Sequence, residues 1–68
     1  MMNLAATHYE LRYRPIKGHS TGYVFPCDCE GRVDLDGLSD RARNDYLFAR
    51  AVVGRDLELP SVLPQAQH

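Results

Sequence analysis

Apolar and polar residues alternate without a break from His8 to Arg14: Tyr9, Leu11 and Tyr13 on one face, His8, Glu10, Arg12 and Arg14 on the other. A period of two carrying two tyrosines predicts a half-buried strand, and Pro15, which has no N–H to give a ladder, ends it. Pro15 to Gly22 reads as a loop rich in small polar groups. Tyr23 to Phe25, aromatic and β-branched, predicts a second strand, with Pro26 marking an edge or a strand end. Both sides of this strand are apolar, so its inward residue is Val24 or Phe25. Asp28-Cys29-Glu30-Gly31 fits a type I turn, with glycine at the fourth position for a positive φ. Alternation resumes over Arg32 to Leu35, with Val33 and Leu35 inward, and predicts a third strand hairpinned to the second.

From Asp36 to Gly54 the pattern changes to a helical one. Placed 100° apart, Leu38, Ala42, Tyr46, Phe48, Ala49, Val52 and Val53 fall within an arc of roughly 160°, wide enough to cover a small sheet. Asp36 is the expected N-cap, and Gly54 stands where a left-handed terminator belongs. Two residues break the pattern: Leu47 lies opposite the apolar arc, and Asp45 lies within it. Asp45 is expected to pair with Arg41, Arg12 or Arg14 at the border of sheet and helix.

These elements predict an α+β fold, a three-stranded antiparallel β-meander followed by one amphipathic α-helix packed on one sheet face, with an extended C-terminal tail. Expected inward residues are Tyr9, Leu11, Tyr13, Val24 or Phe25, Val33, Leu35, Leu38, Ala42, Tyr46, Ala49 and Val53. Residues 1–68 form one small domain in this reading, with 1–7 and 65–68 frayed. Pro60 and Pro64 deny the tail regular structure. Leu57, Leu59, Val62 and Leu63 are nevertheless too apolar for an idle extension, and are expected to lie extended across the sheet or helix or to meet a partner.

Charge changes the picture only locally. The net charge is −1 over 68 residues, without the basic surplus of nonspecific nucleic-acid binders. The run Cys27–Asp40 carries Asp28, Glu30, Asp34, Asp36 and Asp40 against Arg32, whereas Arg41–Arg55 carries four arginines against Asp45. Helix-dipole matching accounts for much of this, and complementary partners are the sharper reading. No apolar run reaches the ~20 residues of a membrane span, and no secretory leader is evident at the N-terminus. Two cysteines one residue apart make no disulfide framework, which points to reduced thiols and a cytoplasmic location.

Candidate chemistry is sparse. Cys27 and Cys29 could chelate a soft metal with His8, His19 or His68, but the second ligand pair of a zinc site is missing, so no metal site is assigned. Lys17-Gly18-His19-Ser20-Thr21-Gly22 has phosphate-loop residues without the P-loop order or a following helix. His19 and Ser20, neighbours on an extended chain, point apart and make no nucleophile pair. A domain of this size has little room for the ~300 Å³ hollow usual for a small-molecule ligand. No catalytic residue, cofactor or small-molecule substrate is therefore expected.

The remaining surface candidates are two. Leu47 and Ala51 on the outer helix face, flanked by Arg43 and Arg50, have the anchor-and-rim composition of protein interfaces. An ordinary exposed leucine, or one covered by the tail, would look the same in sequence. The expected function is a small non-enzymatic binding or adaptor module acting through protein–protein contact, with homodimerisation as one form of it. The alternative is a nucleic-acid-binding module presenting Arg12, Arg14 and Lys17 from the sheet, by fold-level analogy with sheet-face DNA readers.

Overall fold

The structure, a computed structural model, describes residues 8–18 and 21–65. In chain order they form β1 (Tyr9–Tyr13), β2 (Tyr23–Cys27), a 3₁₀ turn (Leu35–Gly37), α1 (Asp40–Ala51) and β3 (Ser61–Pro64). The sheet is antiparallel with order β2-β1-β3, so the first strand is central. The α+β class, the three-stranded antiparallel sheet and the single helix are as expected. The meander is corrected: the third strand comes from the tail, after the helix, and Arg32–Leu35 is not a strand.

Strand direction explains the exchange. Gln65 N–H donates to His8 O and Glu58 N–H to Arg14 O, both at 2.9 Å, so even-numbered residues of the first strand turn their backbone groups toward β3. Alternation sends the odd-numbered ones toward β2. Pro26 lies opposite Glu10, so its ring nitrogen faces away from β1, on the free edge of the sheet. The expected turn does form: Gly31 N–H donates to Asp28 O at 3.0 Å, Gly31 has φ +85°, and Asp28 N–H donates to Arg32 O at 3.0 Å. The next rung outward would need an N–H from Pro26, which has none. The hairpin stops after one rung.

On β3 the same rule works in reverse. Leu63 and Ser61 lie opposite Glu10 and Arg12 and bond the central strand, whereas Val62 and Pro64 face outward. Pro60 occupies the outward position before them. Prolines therefore sit where no ladder bond is lost. Gln65, expected to fray, is instead tied through its backbone and through Nε2 to Tyr9 O at 3.4 Å. The remainder of the expected frayed ends, residues 1–7 and 66–68, lies outside the described residues, as does His19.

The helix is shorter than expected. Ser39, not Asp36, is its N-cap, its hydroxyl accepting from Ala42 N–H at 3.1 Å. Asp36 belongs to the preceding 3₁₀ turn, which Asp34 caps by accepting from Asp36 N–H at 3.1 Å. Ser and Asp are comparable caps, and the one nearest the continuous helical pattern prevails. After α1, Gly54 has the expected positive φ of 90°. Val52 O then collects the N–H groups of Arg55, Asp56 and Leu57, a tight return that sends the chain back toward β1.

The buried core is Leu11, Tyr13, Phe25, Cys27, Ala49, Val52 and Leu57, with Tyr9, Tyr23, Val33, Tyr46 and Val53 packed against it. Phe25 is thus the inward residue of β2 and Val24 the outward one. Leu57, expected to lie extended across the sheet or helix or to meet a partner, is 1% exposed and part of the core. Phe25 joins the layers: its ring meets Tyr13 edge-on at 6.0 Å and Tyr46 edge-on at 5.3 Å, and stacks with Tyr23 at 6.1 Å. Such pairs contribute roughly 0.5–1.5 kcal/mol each beyond their buried area.

Candidate functional site

The four helix residues expected to form one surface divide among three roles. Arg43 is consumed by the fold. Its Nε donates to Leu35 O at 3.2 Å, Nη2 to Leu38 O at 3.4 Å and Nη1 to Asp40 Oδ1 at 3.1 Å, which clamps the 3₁₀ turn onto the start of α1. Leu47 and Ala51 remain on the outward side as expected, with Leu47 48% exposed, so the tail does not cover it. Phe48 joins them at 52% exposed, its ring edge-on to Tyr23 at 6.4 Å. Phe48 falls within the apolar arc but outside the expected inward set. It stands at the arc's margin, and the helix leans over β2 so that this margin opens to solvent.

Arg50 turns to the other side of the helix. Its guanidinium lies over the Tyr46 ring, 5.7 Å from the centroid, and it makes no ion pair among the described residues. Arg50 borders an open groove of about 680 Å³ between α1 and the Gly31–Leu35 segment. Leu11, Tyr13 and Val62 form its floor, with Pro60 at one end. The groove exists because α1 packs over β2 and leaves the β1–β3 half of that sheet face to the loop. Gly31 comes so close there that a side chain would meet Val62 Cγ2 at 3.0 Å. Burial pushes the Tyr13 hydroxyl above its ordinary value, Tyr46 adds to the rise, and Arg50 opposes it. The expectation that so small a domain lacks room for a hollow of this size is corrected. A further hollow of about 240 Å³ lies beside Phe48, reaching Thr21 and Asp56.

The opposite sheet face carries the arginines of the nucleic-acid alternative. Arg12 Nη2 is held by Glu10 Oε1 at 3.0 Å, and Arg12 Nε is buried without a partner. Val24, Pro26 and Leu63 share this face, so it is as apolar as it is basic. Arg14 and Lys17 are exposed. Asp45 is half-buried and makes none of its expected ion pairs among the described residues.

The cysteines part company. Cys27 is in the core and Cys29 is exposed. Burial, then the neighbouring Asp28, pushes the Cys27 thiol above its usual value, the reverse of an activated thiolate. Among the described residues no group of three or more His, Cys, Asp or Glu comes together as a metal site. Nor does any helix have the length and apolarity to cross a membrane. The groove is not legible in the sequence, although Val62 between Pro60 and Pro64 is a usable signal that the tail packs. No family model, no curated protein and no solved structure matches the chain.

Proposed function

We propose that the chain is a small non-enzymatic module acting through protein–protein contact, and that the outer stripe Leu47, Phe48 and Ala51 of α1 is its docking surface. One observation carries this reading: two large apolar side chains, 48% and 52% exposed, are adjacent on a well-capped helix. Helical spacing puts Arg41 on the Phe48 border of the stripe and Asn44 within it, while Arg50 turns away over Tyr46. The partner it fits is an apolar surface rimmed by carboxylates. Free Cys29 and the buried Cys27 thiol favour a reducing compartment, the cytoplasm.

Affinity capture from host extract with wild-type protein and Leu47→Arg tests the reading. Loss of the captured protein by the folded variant supports it, and unchanged capture overturns it. A nucleic-acid role through Arg12, Arg14 and Lys17 is the weaker reading, because Glu10 neutralises Arg12 and apolar residues interrupt the basic face. Salt-sensitive retardation of DNA or RNA by the purified protein would reverse that order.

A further inference from the structure

The ladder register slips by one residue between Arg12↔Ser61 and Pro15↔Leu57, so Leu59 and Pro60 together stand opposite Tyr13. A bulge of this kind releases a side chain from the regular alternation. Leu59 is 79% exposed, more than any other large apolar residue described. Its neighbour Glu58 is exposed and makes no ion pair among the described residues. One residue further, Pro60 borders the groove, where Arg50 makes no ion pair among the described residues and the carboxylate of the lining, Glu30, is held by Arg32 at 3.1 Å. An apolar knob with an acidic neighbour thus stands beside a groove with an apolar floor and a polar rim, on which Arg50 has no ionic partner among the described residues.

We infer that two copies of the chain associate about a two-fold axis, each placing Leu59 in the other's groove and Glu58 against the other's Arg50. Knob and hole are close together on one copy, which makes the surface self-complementary, as an isologous contact requires. Strand addition, the usual route for a small sheet to dimerise, is closed. Pro26 faces out from β2, and Pro60 and Pro64 flank the one outward N–H of β3, that of Val62. Side-chain insertion is the contact that this edge still permits. The surface is separate from the Leu47 stripe, so the two proposals fail independently.

Sedimentation equilibrium of the full chain from micromolar to millimolar concentration tests the dimer. A reversible monomer–dimer equilibrium is expected. Leu59→Ser removes most of the buried apolar contact and raises the dissociation constant at least about tenfold. Because Leu59 is so exposed, that variant keeps the monomer fold, which circular dichroism checks. Arg50→Glu and Glu58→Arg each weaken the dimer, and the two together restore it. A monomer at every concentration, a dimer indifferent to Leu59→Ser, or a double variant no tighter than its parents each overturns the inference. So does a dimer dissolved by Leu47→Arg but not by Leu59→Ser.

Discussion

Arg32–Leu35 and Ser61–Pro64 each approach one edge of the same two-stranded ribbon, and only the second joins it. Side-chain composition does not separate them. Both have apolar residues at alternate or adjacent positions, and the segment that joins is the one with prolines around it. What separates them is the direction in which backbone donors point. Pro26 presents a nitrogen without hydrogen to the edge Arg32–Leu35 would need, whereas Pro60 and Pro64 turn their nitrogens to solvent and leave Ser61 and Leu63 to bond β1. A proline's cost in a sheet is set by which neighbour its nitrogen faces.

That contrast breaks most sharply at the residue locking the successful segment in place. Leu57, at 1% exposed, anchors the return from α1 to β3. Leu57→Ala is expected to cost about 2–5 kcal/mol in chemical denaturation, with loss of β3 amide protection. Next in size is a paired test of direction. Leu63→Pro removes an inward donor and leaves a strand acceptor unpaired, and is expected to cost about 2–3 kcal/mol. Val62→Pro, one residue away with an outward donor, is expected to cost less than about 1 kcal/mol. Equal losses would show that donor direction does not govern this edge.

Pro26→Val supplies the missing donor on the other edge. Slower amide exchange is expected at position 26 and around Asp34 as the hairpin gains a second rung, while overall stability moves by about 1 kcal/mol or less. Smaller again is the contribution of the turn leading into that hairpin. The Asp28 carboxylate accepts from Arg32 N–H at 2.8 Å, from Arg32 Nε at 2.9 Å and from Glu30 N–H at 2.9 Å. The Arg32 backbone N–H first, then its side chain and the Glu30 N–H, hold the Asp28 carboxyl below the usual aspartate value. With the native value below the unfolded one, this stabilisation is present above the ordinary carboxyl range and lost as pH falls through it toward the native value. Asp28→Asn should therefore flatten that part of the acid limb of the stability profile. Least of all, Leu47→Arg should shift stability by no more than about 0.5 kcal/mol, since that residue is 48% exposed.

Much of this is legible in the sequence alone. His8–Arg14 and Tyr23–Phe25 declare their strands because period two is unambiguous over short runs. The Asp28–Gly31 turn follows from residue chemistry alone, and Gly54 from the need for a positive φ. The third strand is not legible, because alternation reports a half-buried extended segment and not whether its neighbour offers donors. Pro26 held that information, but its meaning depends on the β1 register. The helix start is ambiguous in sequence because Asp36 and Ser39 are both good caps, and only Arg43's three bonds reveal that Leu35–Gly37 and its cap Leu38 form a separate turn. Of the candidate surface, Leu47 and Ala51 were readable from helical angle. Arg43 and Arg50 were not, because an angle does not say which neighbouring loop a long side chain reaches.

The hydrogen bond from Gln65 to His8 brings the two extremities of the described chain side by side. Topologically the domain is almost a ring, with its seam running between the central strand and β3. A circular permutant that joins residue 8 to residue 65 through a short linker and opens the β1–β2 loop would keep every strand neighbour. The same closeness means that the chain reaches residue 8 and departs from residue 65 at one shared corner of the molecule.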